Sequence, residues 1–157
     1  MRRTTLCFLI REGEILLALK KRGFGEGKWN GVGGKVEIGE TIEKAITRET
    51  HEEIGVLLRE VDLEKRAVLT FIFPDNPAWD QECHVFFVRR WNGEPIESEE
   101  MRPQWFPASE IPFDQMWNDD PFWLPLTLKG ERIKGTFHFS AKQEVISHTV
   151  LKVNTPL

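Results

Sequence analysis

The chain has 157 residues, of which 40% are apolar and 29% charged, and carries a net charge of −4. These proportions predict one soluble domain over residues 1–157, large enough to bury a core of its own. They argue against a duplex nucleic-acid surface, which shows a Lys/Arg-rich face, and against a membrane span, since the apolar run Leu6 to Ile10 is far too short and is closed by Arg11-Glu12.

Thr4 to Ile10 and Glu14 to Leu19 read as strands joined in a hairpin through Arg11-Glu12-Gly13. Lys20 to Lys35 holds six glycines and no apolar periodicity, which predicts a long loop of the kind that carries function. A helix is expected from about Thr41, its N-cap, to Ile54, stopped by Gly55. Arg66 to Phe73 and Cys83 to Trp91 read as strands joined by a Pro-containing loop, and Asn92-Gly93 marks a turn. Gln104 to Phe106 is a short strand. Prolines break Pro107 to Pro125 into short helices at most, one continuing to Lys129. Arg132 to Phe139 and Glu144 to Val153 are the last strands. The pattern predicts an α+β fold: a mixed sheet with a central helix and a second, later helix. Cys7 and Cys83, the only cysteines, lie in apolar runs and read as reduced packing thiols. With no signal peptide, a cytoplasmic monomer is the expectation.

The central helix carries the chemistry. Glu49, Glu52 and Glu53 stand at i, i+3 and i+4 and share one face, and Glu49 and Glu53 fall on the stripe of Ile42 and Ile46. Carboxylates against the interior repel one another and are costly unless neutralised, and a hard divalent cation is the simplest neutraliser. Arg48, four residues before Glu52, can orient it as an ion pair.

Gly34, Glu40, Arg48-Glu49, Glu52-Glu53 and Gly55-Val56 together resemble the Nudix box over residues 34–56, with Thr50 where an aliphatic residue is usual. The resemblance implies a Nudix-type α/β/α sandwich and hydrolysis of a nucleoside diphosphate linked to another group, with Mg²⁺ or Mn²⁺. Carried over, Glu49 and Glu53 are metal ligands, Glu52 is a further ligand or the general base, Arg48 holds it, and the Gly33 carbonyl completes the ligand set.

Lys20-Lys21-Arg22-Gly23-Phe24-Gly25, Trp29-Asn30-Gly31, Glu99-Glu100-Met101-Arg102-Pro103 and Met116-Trp117-Asn118-Asp119-Asp120 resemble the MutT-homologue branch, the oxidised purine nucleoside triphosphate hydrolases. That resemblance implies release of a monophosphate and pyrophosphate from 8-oxo-dGTP or 2-oxo-dATP. Trp117 offers a face for a purine, and the Asn118-Asp119-Asp120 run and Asn30 supply hydrogen bonds. Adjacent Asp119 and Asp120 in one pocket do not both ionise easily, so one donates and the other accepts. Thr5, Lys20, Gly33, Gly34 and Lys35 match positions lining the nucleotide site, Met101 supplies apolar wall, and Glu100 matches a further metal-site carboxylate. Val32 replaces an aromatic residue, Phe71 and Phe73 replace a strand pair, and Gln81-Glu82-Cys83 stands where a pocket Met is typical. Other nucleotides remain possible substrates on this reading: methylated purine or undamaged triphosphates, or dinucleoside polyphosphates. A non-catalytic binding module is the remaining alternative.

Overall fold

The computed structural model describes residues 1–157. Its elements are β1 (Arg2–Arg11), β2 (Glu14–Lys20), β3 (Trp29–Asn30), α1 (Ile42–Ile54), β4 (Leu63–Ile72), β5 (Gln81–Val88), β6 (Met101–Pro107), α2 (Asp120–Leu128), β7 (Ile133–Phe139) and β8 (Val145–Lys152). The strands β1-β5-β4-β7-β8 lie side by side in that order, with β1 parallel to β5 and β4 parallel to β7. After the β1–β2 hairpin, β2 pairs antiparallel with β3 and β6.

Strand β1 is covered on both faces, and its period of two sorts its side chains between two cores. Phe8 and Ile10 pack with Trp123 and Leu124 of α2, while Cys7 and Leu9 pack with Ile46 and Ile54 of α1. β5 does the same: Val85 and Phe87 face the α2 core, Phe86 and Val88 the α1 core. The result is the helix–sheet–helix layering that the box implied. Helix α1 keeps its expected ends. Thr41 Oγ1 accepts from Lys44 N–H at 3.1 Å, and Gly55, at φ 72°, sends its N–H to His51 O. Cys7 and Cys83 are free and buried. No helix is long and apolar enough to cross a membrane.

Two stretches differ from expectation, the loop before α1 and the start of β6. The Lys20 to Lys35 loop contains β3 and is laced to the open edge of β1 through bridges Thr4–Lys35 and Cys7–Val32. An edge strand needs backbone partners, and glycine-rich sequence satisfies them without leaving a side-chain pattern. Helix α2 is the short helix expected to continue to Lys129, and it runs unbroken through Pro125. The N–H that Pro125 lacks would have reached the first turn of the helix, and burial of Trp123, Leu124 and Thr127 holds the rest. β6 begins earlier, at Met101, and accommodates Pro103 because it is an edge strand paired only with β2. The register of β4 is set by a bulge at Arg66, between the Lys65–Phe86 and Ala67–Val85 pairs. That extra residue turns Ala67, Leu69, Phe71 and Phe73 to the α2 side.

Candidate active site

Arg48 is the hub of the acidic helix. It grips Glu40 with two bonds (Nε to Oε2 at 2.7 Å, Nη2 to Oε1 at 2.9 Å), donates from Nη1 to Glu49 Oε1 at 2.8 Å and Glu52 Oε2 at 3.4 Å, and from Nη2 to the Lys35 carbonyl at 3.1 Å. A planar fork with five donors can hold three carboxylates where a lysine could not. The bonds from Arg48, with the Glu37 backbone N–H, hold the Glu40 carboxyl down at about 2. Glu40 therefore stays ionised and ties the loop before α1 to the helix.

Glu53 is buried among Ala45, Ile46, Thr50 and Ile54, as the apolar stripe predicted. Glu49 is only partly buried and turns toward Arg48 and Gly34, and Glu52 is exposed. Thr50, which stands where an aliphatic residue is usual, is fully buried. Burial, followed by the hydrogen bond and charge of Glu49, pushes Glu53 up to about 9; the Lys20 charge pulls it partly back and Glu100 adds to the rise. Glu100 is thus within electrostatic reach of Glu53, although it is exposed and 3.6 Å from Arg22 Nη2.

Arg48 occupies Glu49 and Glu52, and no three acidic, His or Cys side chains converge as a closed metal cage. The residues nevertheless fit a hard divalent cation. All are oxygen donors, and Glu53 Oε2 is buried without a hydrogen-bond partner. Gly34 leaves room for the Glu49 carboxyl, whose Cδ lies 2.6 Å from where a Cβ would stand.

Beside this helix opens a cavity of about 460 Å³. Thr5, Lys20, Asn30, Gly33, Gly34, Lys35, Phe71, Phe73, Met101, Trp117, Asp119 and Asp120 all line it, as the sequence predicted. Two predicted residues do not. Val32 is buried in the α1 core with Cys7 and Ile46, because its backbone bridge to Cys7 turns the side chain inward. Asn118 is exposed, and its Oδ1 accepts from Val145 N–H at 3.1 Å, tying the turn before α2 to β8.

Asp119 and Asp120 are both buried. Asp119 occupies the cap position of α2 but makes no cap bond; its Oδ2 accepts instead from Trp123 Nε1–H at 2.8 Å. Burial pushes Asp119 up to about 6, and burial with the adjoining Asp119 charge raises Asp120 well above the usual carboxylate range. Asp120 Oδ2 has no hydrogen-bond partner in the protein. Asn30 Oδ1 accepts from Gly31 N–H at 2.8 Å, which leaves its amide N–H₂ to donate. The Trp117 ring is flanked by Phe24 at 5.1 Å and by Lys28 Nζ at 5.4 Å.

Sequence reasoning missed several lining residues, among them Arg2, Thr4, Lys28, Trp79 and Phe139. The strand period counted back from Leu6 puts Thr4 and Arg2 on its face and could have found them. No local signal marks Trp79, whose loop meets the cavity only through the tertiary fold.

A model of the NUDIX domain matches residues 1–126. The chain belongs to the Nudix family. Among Nudix relatives, the oxidized purine nucleoside triphosphate hydrolase of Danio rerio is 45% identical over 149 residues, covering 95% of this chain and 94% of its own. The mouse protein of the same name is 42% identical over 152 residues, covering 96% and 95%. The MutT protein from Bacillus halodurans superposes with a TM-score of 0.83 at 26% identity, covering 96% of this chain and 97% of its own. The acidic helix is thus the box of a Nudix hydrolase, and the cavity lies next to it.

Proposed function

We propose that this Nudix hydrolase cleaves oxidised purine nucleoside triphosphates, 8-oxo-dGTP and 2-oxo-dATP, to the monophosphate and pyrophosphate, and so cleans the nucleotide pool. The observation that carries the reading is the buried Asp119–Asp120 pair in one cavity with Asn30 and Trp117. At neutral pH a pair of this kind holds a donor and an acceptor side by side, the complement of a purine edge that an added oxygen has altered. The names of the zebrafish and mouse relatives support the same substrate class.

Glu49, Glu53 and the Gly33 carbonyl would hold Mg²⁺ or Mn²⁺, with Glu52 and Glu100 at its margin. Bound there, the cation supplies charge neutralisation at the phosphates and a more acidic water. The chain's own residues do the rest. Arg48 orients Glu49 and Glu52, and Glu52, exposed and touched on one oxygen, either joins the ligands or takes the water's proton. Lys20 and Lys35, on the cavity wall beside Gly33 and Gly34, meet the phosphates. Trp117 stacks on the base. The cavity is complete within one chain, which suits a monomer, and buried free thiols suit a reducing cytoplasm.

The test is a kcat/KM panel of 8-oxo-dGTP, 2-oxo-dATP, a methylated purine dNTP, dGTP and a diadenosine polyphosphate, with and without Mg²⁺. A pocket that reads by buried hydrogen bonds can discriminate by up to ~10⁴. Equal turnover of dGTP and 8-oxo-dGTP, or preference for a methylated or dinucleoside substrate, removes the proposed substrate. Glu53→Gln is expected to abolish most Mg²⁺-dependent turnover, and wild-type rates in that variant would sink the ligand assignment.

A further inference from the structure

One side chain reaches the cavity from a loop that belongs neither to the box nor to the acid pair. Trp79 ends a single 3₁₀ turn, Pro77–Trp79, between β4 and β5, and lines the cavity. The loop is pinned rather than loose. Trp79 N–H donates to Asn76 O at 3.0 Å, the Trp79 carbonyl accepts from Gln81 Nε2 at 3.1 Å, and Asp80 Oδ1 accepts from Phe73 N–H at 2.7 Å. Gln81 Oε1 in turn accepts from Thr4 Oγ1 at 2.9 Å. Both Gln81 and Thr4 are cavity residues, so the network that sets Trp79 runs along the cavity itself.

The Trp79 ring lies 4.9 Å from Phe24 and meets Phe73 edge-on at 5.6 Å. Phe24 stands between two indoles, Trp79 on one loop and Trp117 on another, with the Trp117 ring 5.1 Å away. Three aromatic side chains from three segments thus form one continuous wall beside the acid pair. An aromatic wall reads the area and thickness of a ring system, whereas Asp119, Asp120 and Asn30 read its polar edges.

We propose that Trp79 is a base-contacting, specificity-determining residue, which with Phe24 and Trp117 forms the aromatic wall against which the substrate's ring system packs. The extent of that wall is then set by the 74–80 loop, outside the Nudix box. This rests on the nucleotide reading above, and its test is independent of which base is preferred.

Trp79→Ala and Trp79→Phe are compared with wild type on whichever triphosphate the wild type turns over best, with pyrophosphate inhibition measured alongside. Pyrophosphate lacks a base and probes only the metal and phosphate side. The expected result is a KM at least about five-fold higher in the Ala variant, the low end of a lost stacking contact. Its kcat and its Ki for pyrophosphate should stay within about two-fold, and Phe should bring KM back to within about three-fold. An unchanged KM overturns the proposal. So does a Ki for pyrophosphate that rises with KM, or a Phe variant no better than Ala; either means that the ring only supports the fold. If the Ala variant is insoluble, Trp79→Gln is judged against Trp79→Phe by the same criteria. A substrate panel that removes oxidised purines leaves this comparison intact on the base found instead.

Discussion

Asp119→Asn should make the protein more stable and less useful, and the gain should depend on pH. Asp119 is fully buried, and its carboxyl is pushed from the ordinary 3.8 up to about 6. A raised folded-state pKa means that the native chain holds a proton the unfolded chain releases, so native stability falls as pH climbs from about 4 to about 6. At about 1.4 kcal/mol per pKa unit, the gap is worth about 3 kcal/mol once pH is above 6. An Asn keeps the geometry. Its Oδ1 can still accept from Trp123 Nε1, which lies 2.8 Å from Asp119 Oδ2, and its amide N–H₂ can donate to Asp120. It also removes the charge that helps to raise Asp120. Melting temperatures from pH 4.5 to 8.5 provide the assay. At pH 4.5 the unfolded carboxyl is already mostly ionised, so the variant should lead there by about 1 kcal/mol, or about 2–4 °C, and the lead should widen to about 6–12 °C by pH 8, since 1 kcal/mol moves a domain of this size by about 2–4 °C. Turnover of oxidised purines should fall. A variant that melts at or below wild type at pH 8, or a difference that does not change with pH, refutes the reasoning.

Arg48→Lys keeps the charge but cannot hold Glu40 in two bonds while reaching Glu49 and Glu52. It should lower activity or apparent Mg²⁺ affinity by about 10–100-fold, as loss of a ligand-orienting partner does, and an Mg²⁺ titration of the rate gives the number. Gly33→Ala would set its Cβ on the Thr5 carbonyl, whereas Gly27→Ala, at φ 81°, meets nothing within 4 Å. The first should cost about 1–3 kcal/mol or more through overpacking, the second only the strain of a left-handed residue, about 1–2 kcal/mol. Urea unfolding of the two variants separates them, and a Gly33 variant no weaker than the Gly27 variant contradicts the packing described.

What could be read from sequence was what repeats with a period or carries a motif. The caps of α1, the burial of Glu53 and the apolar run of β1 follow from local sequence, and the resemblance supplied most of the cavity. The failures share one cause. Val32 and Asn118 belong to the right segments, but which way each side chain turns is decided by a partner far along the chain, Cys7 for one and Val145 for the other. Trp79 reaches the cavity only because β4 and β5 bring its loop there. The continuation of α2 past Pro125, by contrast, was expected, and tertiary burial outweighs its one missing hydrogen bond.

The double covering of β1 has a consequence for the chemistry. Thr4 bonds Gln81 on the base side, and Thr5, the next residue, faces Gly34 on the box side at 3.4 Å. On the proposed assignment of the two sides, one strand sets the span between the group that is recognised and the bond that is cut, as a ruler with a single pleat for its division. A slip of one residue would exchange the two sides together, so the phase of this strand ties them to each other whatever the surrounding loops select.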